Sequence, residues 1–461
     1  MNCDLLIKGG TIHNDRHSFT GDIAVTGEKI TALAESGELQ NINAKTVIDT
    51  AGADVIPGCL DVHVHLDLDC GEGLVTCDDY ASGTKAAACS CVTAVIDFAT
   101  PVNEQSLAET HDIWQEKAAR KAYVDYAWHM SITREEHLAE VPAMIDMGIP
   151  TFKQYMIYRD RGLYSNDALI FSALELMKKH GGMLLLHAES QDVLDLLVKR
   201  EHTPEKMRKH GAWLHAVTRP DYIEAEAIER AVRWCSVTGG SLYIVHVSSA
   251  AGVELIRRAK QHDINVRGET CTHFLVLTED VFKNRDGHLF ATCPQVKKET
   301  DRARLWQALA DSDLQVVSTD TCSFTRQQKN KWGGDFTSIP MGLPGLDTLI
   351  PLMYTLGVKQ GRISINKMVE LCSTRPAELV GLAGQKGRIA PGHDADIAII
   401  DPAFSKSVDY HDLQSRCDWN PYQGMELGGF ARTTILRGNV IVDNYKLEDS
   451  EPRGKWLKRS L

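Results

Sequence analysis

Eight apolar, β-branched runs constrain this chain more than any other feature. They fall at residues 55–65, 93–100, 123–132, 151–158, 183–188, 242–248, 264–270 and 314–320. Segments with helical periodicity lie between them, for example 107–121, 167–180, 222–238, 251–262 and 300–311. A parallel strand buried on both faces reads as a continuous apolar run, and a helix supplies the crossover to its neighbour. Strand and helix alternating eight times predict an α/β chain folded as a (β/α)8 TIM-like barrel. A doubly wound open sheet would begin with a glycine-rich phosphate loop, and no G-x-G-x-x-G follows any of these runs.

The two ends differ from the middle. The first fifty residues are short β-rich runs closed by glycine turns, and the last eighty resume that texture. Residues 433–443 read as a hairpin with Gly438-Asn439 at its turn. Both ends together predict one small β-sandwich domain. The expected boundaries are 1–54 for its first part, 55–384 for the barrel, and 385–461 for its second part and the C-terminal tail. The basic tail Lys455-Trp-Leu-Lys-Arg reads as a contact to a neighbouring subunit or a solvated end. Hydrophobic residues make up 43% of the 461, enough for a full core. The net charge of −12 makes nucleic acid and anionic membrane poor partners. The apolar runs are too short to span a bilayer, and the N-terminus does not read as a signal peptide. Twelve cysteines without a C-x-x-C pair read as thiols in a reducing cytoplasm.

Reactive groups of such barrels sit at the carboxyl ends of the strands. Those ends carry His63, His65, Lys153, His187, His246 and Asp320. His63 and His65 are two apart, so a strand presents them on one face. Singly, each has an ordinary reading: a core histidine, a snorkelling lysine, a helix-capping aspartate. Jointly, on one rim, they point to metal. Imidazoles with a carboxylate suit zinc and other divalent ions. They are too many for one tetrahedral ion, whereas two ions about 3.5–4 Å apart would share them through a bridging anion. An ammonium cannot ligate, but a lysine that has captured carbon dioxide is a carbamate and can bridge. Trp213, Trp234 and Trp306 read as packing, and His180, His210, His215 and His262 as surface or helix-end residues.

The order of motifs carries a resemblance. Pro57-Gly-Cys-Leu-Asp-Val-His-Val-His-Leu-Asp, Phe152-Lys-Gln-Tyr-Met-Ile-Tyr, Leu186-His-Ala-Glu and Ile244-Val-His-Val-Ser come first. Gly268-Glu-Thr-Cys, Ser318-Thr-Asp-Thr-Cys-Ser-Phe, Phe336-Thr-Ser-Ile-Pro and Gly387-Arg-Ile-Ala-Pro-Gly-His-Asp-Ala-Asp follow. Over essentially its whole length the chain resembles the dihydropyrimidinase and D-hydantoinase family, cyclic amidohydrolases of the amidohydrolase superfamily. The resemblance implies two divalent ions, most simply zinc. His63, His65 and Asp320 would hold the more buried one, His187 and His246 the other, and carboxylated Lys153 would bridge both. A metal-bridged hydroxide would open a dihydropyrimidine or 5-substituted hydantoin to the N-carbamoyl amino acid. Asp320 would serve as general base and acid, and Tyr158 would polarise the scissile carbonyl.

Two departures touch the substrate positions. Cys293-Pro294-Gln295 stands where hydantoinases read Ser-Pro-Pro, and Ile339-Pro340-Met341-Gly342 where they read Ile-Pro-Asn-Gly. The family contacts substrate there mostly through main chain, so Cys293 and Met341 are candidate substrate-binding residues. Thr321 stands where many hydantoinases have histidine. The loop 67–76 and the one after Tyr158 would face the ring substituent. The family further implies a homotetramer or homodimer. An allantoinase-like ureide hydrolase is the alternative within the class. Dihydroorotase is disfavoured because Leu66-Asp67, not an arginine, follows the histidine pair. A non-catalytic scaffold homologue is disfavoured because all six ligand positions are filled.

Overall fold

The computed structural model of the protein describes residues 2–39, 41–71, 73–448 and 451–461. Its centre is an eight-stranded parallel sheet whose spatial order is its chain order. The strands are β1 (Cys59–Val64), β2 (Val92–Ala99), β3 (Asp125–Ser131), β4 (Thr151–Tyr155), β5 (Met183–His187), β6 (Leu242–Ile244), β7 (Val266–Cys271) and β8 (Val316–Ser318). Every strand residue except Arg267 is buried, which is why these runs read as continuously apolar. The sheet meets itself just beyond β8, where Val64 bridges Thr321 and the His65 amide donates to the Thr321 carbonyl at 2.9 Å. The barrel therefore closes beside Asp320.

The strands depart most from the expected runs in three places. Residues 55–65 hold two strands, Asp54–Pro57 in the terminal sheet and β1 in the barrel. Gly58 joins them where a Cβ would lie 2.2 Å from Thr93 Oγ1, so only glycine lets the chain pass between the layers. β6 and β8 stop after three residues each, and His246 and Asp320 lie on the loops beyond. Helices cover the outside close to where periodicity put them: Leu107–Ala118, Asp167–His180, Asp221–Thr238, Ala250–Gln261 and Glu299–Ala310. The first has a Ser106/Glu109 capping box, and the second is capped by Asn166 and ends on left-handed Gly181.

Both termini build one nine-stranded mixed sheet, separate from the barrel sheet. Asp54–Pro57 lies between Asn2–His13 and Ile397–Ile400, so the N-terminal and C-terminal segments share a single sheet and its core. The hairpin near the end turns one residue earlier than expected. Arg437 and Gly438 form the loop at φ 44° and 74°, and Asn439 already belongs to the returning strand. Two successive left-handed residues match the twist of a two-residue hairpin.

An ionic cluster joins this sheet to the amino-end face of the barrel. The buried Lys386 ammonium lies 2.8 Å from Asp125 at the start of β3, 3.1 Å from Asp394 and 2.6 Å from Asp396. Arg437 also pairs with Asp125. The aspartates of the 387–396 motif are thus structural groups compensating a buried lysine. The C-terminal tail contacts its own chain: the Lys455 amide donates to Asp125, the Tyr126 amide donates to the Lys455 carbonyl, the Leu457 amide donates to the Tyr126 carbonyl, and Trp456 stacks on Trp128. His215, expected at a surface or a helix end, lies in the short helix Trp213–Val217, is fully buried and donates to the Thr292 carbonyl at 2.9 Å. No helix among the described residues is long and apolar enough to cross a membrane.

Candidate metal centre

Four imidazoles converge on the carboxyl rim. Ring centroids of His63 lie 5.3 Å from His65 and 5.4 Å from His246, and His246 lies 4.4 Å from His187. Phe98 from the end of β2 underlies the group, 4.4 Å from His63 and 5.1 Å from His65. The Asp320 carboxylate sits 3.1 Å from Nε2 of both His63 and His65. The register of β1 against β2 shifts between Asp61 and Val64, so His63 sits at an irregularity that aims its ring.

Lys153 is 1% exposed and comes from the middle of β4. Its Nζ lies 4.9 Å from the Phe98 ring and 5.0 Å from the Tyr155 ring. Burial, partly opposed by Asp320 and Glu269, lowers its amine to about 7. An amine in that range is about half unprotonated at pH 7, and the unprotonated form is nucleophilic.

Electrostatics divide the imidazoles. Burial alone would depress His63, but the carboxylates of Asp320 and Glu269 outweigh it and raise it to about 9. Burial, with His187 and Lys153 nearby, holds His246 well below its ordinary value. Its Nδ1 is buried and has no hydrogen-bond partner among the described residues. A neutral ring with an unused nitrogen is the form in which histidine ligates metal. Burial would raise the Asp320 carboxyl, yet His63 and His65 hold it well below the usual range, so it is ionised at neutral pH. The chemistry of the donor set therefore fits divalent metal.

Backbone strain marks the same residues. His246 (φ 42°), Asp320 (φ 49°) and Tyr158 (φ 67°) all adopt left-handed conformations that non-glycine residues rarely take. Such strain persists only where surrounding structure over-determines it.

Groups without an expected role orient the candidate ligand residues. Glu269 accepts from His63 Nδ1 at 2.5 Å, from the Tyr243 hydroxyl at 2.9 Å and from the His246 amide at 3.3 Å. That leaves His63 Nε2 facing Asp320. Asp61 accepts the Thr319 hydroxyl and amide, fixing the residue before Asp320. Glu189 accepts from His187 Nε2 at 2.7 Å and from the Cys293 thiol at 3.1 Å. Glu189 and Glu269 both lie inside motifs legible in the sequence, but spacing alone gives a carboxylate no partner.

Tyr158 closes one side. Its ring is 5.4 Å from His187, and the Arg161 guanidinium lies 5.3 Å from its centroid. Burial pushes its hydroxyl well above the ordinary value, which keeps it a proton donor. Cys293 is buried, its thiol pushed up by burial to about 12, and it packs with Ile157, Leu194 and Ile223. Met341 and Tyr158 border that cluster. All nine candidate residues thus fall in one region. Of the loop 67–76, Glu72 lies outside the described residues.

A closed parallel barrel with these donors on its carboxyl rim defines an enzyme of the barrel hydrolase class. The amidohydrolase family profile matches residues 55–441. A D-hydantoinase of Geobacillus stearothermophilus is 36% identical over 465 residues, covering 99% of this chain and 96% of that one. Another from Ralstonia pickettii is 34% identical, with 99% of each chain covered. The crystal structure of a dihydropyrimidinase from Brevibacillus agri superposes with a TM-score of 0.94 at 33% identity, covering 99% of this chain and 98% of that one. The chain belongs to the amidohydrolase family, in its dihydropyrimidinase and hydantoinase branch, and is a cyclic amidohydrolase.

Proposed function

We propose that the protein opens the ring of a dihydropyrimidine or 5-substituted hydantoin, giving the N-carbamoyl amino acid. Two divalent ions, zinc by donor chemistry, would be held by His63, His65, His187, His246, Asp320 and carboxylated Lys153. The observation that carries this reading is the approach of both His63 and His65 to one Asp320 oxygen at 3.1 Å, beside a buried lysine. Bound metal supplies a water made acidic enough to act near neutral pH. Asp320, ionised and facing both imidazoles, accepts a proton from the attacking water and returns it to the leaving nitrogen. The Tyr158 hydroxyl donates to the carbonyl oxygen as charge develops there. Main chain around Cys293 and Met341 holds the ureide edge, and the loops 67–76 and after Tyr158 face the substituent.

The same reading assigns residues 1–54 and 385–461 to the terminal domain and 55–384 to the barrel. It places the protein in the cytoplasm, in keeping with its free cysteines. It makes the protein a homotetramer, which sedimentation at micromolar concentration tests.

Purified protein is expected to hold about two metal equivalents per chain, as binuclear hydrolase sites do. It should hydrolyse at least one of dihydrouracil, dihydrothymine, hydantoin, 5-phenylhydantoin and allantoin. Chelation should abolish turnover and zinc restore it. Full activity without metal, or no hydrolysis across the panel by metal-loaded protein, would overturn the reading. Turnover confined to allantoin would favour the allantoinase-like alternative.

Tyr158→Phe is expected to retain both metals and lower kcat by about 10²–10³, the usual effect of losing one oxyanion donor. KM should change much less, because the hydroxyl meets charge that appears mainly in the transition state. Unaltered kinetics would transfer this role to another group.

A further inference from the structure

We infer that Lys329 is a positioning residue that ties the two substrate loops together and thereby sets substrate affinity. Lys329 ends the short helix Arg326–Lys329 and is completely buried. No carboxylate lies within salt-bridge distance of its Nζ among the described residues, and burial lowers its amine to about 7. It donates instead to two main-chain carbonyls, Ala291 at 3.0 Å and Pro340 at 2.6 Å. Ala291 lies two residues before Cys293, and Pro340 immediately before Met341. One side-chain nitrogen thus spans the roots of both loops.

Neighbouring contacts show that this junction is built. The Ala291 carbonyl also accepts the Gly342 amide at 2.9 Å, so both loops meet at a single oxygen. Gly342 adopts φ 142°, and a Cβ there would lie 2.3 Å from the Cys322 carbonyl. The second loop is therefore pressed against the segment that carries Asp320. On its other side, the first loop is held by His215 on the Thr292 carbonyl. The Arg219 carbonyl holds it too, accepting from Gln295 at 3.1 Å and Lys297 at 2.8 Å. Lys329 reaches both loops through their main chain, and the Arg219 guanidinium touches the Met341 sulfur at 4.0 Å. Burying a lysine amine is unfavourable unless its N–H donors are used, and here they go to the two segments whose main chain would hold substrate.

The inference rests on the proposed ring-opening reaction for its kinetic readout, so hydrogen exchange is measured beside it. Lys329→Met in the zinc-loaded protein is expected to raise the KM for hydantoin by about tenfold or more, with kcat within about threefold of wild type. Amides in peptides spanning 289–297 and 338–344 should exchange faster, while those of 183–187 in β5 keep their protection. Lys329→Gln, too short to reach both carbonyls, should give an intermediate KM and intermediate exchange. Wild-type KM and exchange in Lys329→Met would overturn the assignment, as would a fall in kcat at unchanged KM with metal retained. If Lys329→Met does not fold, wild-type KM and exchange in Lys329→Gln overturn it equally. Faster exchange in both loops of a protein that leaves hydantoin intact would uphold the clamp and count against hydantoin hydrolysis.

Discussion

Asp320→Asn is expected to give a folded protein whose hydrolysis falls by about 10³ or more, near the upper range for loss of general acid–base catalysis. The amide is nearly isosteric, so packing survives. It cannot take a proton from water, and it is a poorer ligand than a carboxylate. The carboxylate is also the hub of the site, since Nε2 of His63 and of His65 both lie 3.1 Å from the same oxygen. The competing sequence interpretation was a helix cap, whose loss would cost about 1 kcal/mol and spare activity. That interpretation lacks a helix: the next one begins at Arg326 and is capped by Thr325. Activity, thermal melting and metal content measured together decide the matter. A mutant within tenfold of wild-type rate would remove Asp320 from the chemistry.

Lys153→Ala is expected to lose metal and activity together. A bare ammonium beside two divalent ions would be repelled, and a neutral amine cannot bridge them. Burial that lowers this amine to about 7 makes it able to capture carbon dioxide near neutral pH. The carbamate would then be held by the metals it bridges. Without it, metal affinity should fall by at least about 100-fold, since even outer-sphere partners account for 10–100-fold. A short carboxylic acid such as acetate or propionate should restore part of the rate by occupying the bridge. Elemental analysis, kinetics with added acid, and the intact mass of peptides containing Lys153 form the test. Normal metal content and rate in Lys153→Ala, or a bare ammonium in a density map of active metal-loaded enzyme, would exclude the carbamate.

Much of this site was legible because barrels place chemistry at strand ends, and strand ends can be located from local apolar patterning. The histidine pair, Lys153, His187, His246 and Asp320 each follow or lie in such a run. Their orientation was not legible. Glu269 meets His63 across 206 residues, and Asp320 meets His65 across 255. Glu189 stood in plain view two residues after His187, but its bonds to both His187 and the Cys293 thiol depend on how the loop after Phe290 folds back. His215 looked like a surface or helix-end residue because nothing local shows that the Thr292 carbonyl lies above it.

The amino-acid order by itself determined the barrel, the terminal β sheet and which residues are candidates for the site. Burial on both faces of a parallel strand leaves a continuous local pattern, and a motif keeps its residues whatever surrounds it. Tertiary structure alone decided where the runs break. Gly58 splits the first between two sheets, and β6 and β8 end early so that His246 and Asp320 stand on left-handed turns. It alone decided that the tail lies on its own barrel, that Lys386 gathers three aspartates, and that Lys329 joins two loops. These outcomes depend on which backbone and side-chain groups meet across long stretches of chain. A buried polar group must find its partner wherever the fold presents one, and sequence spacing does not encode that place.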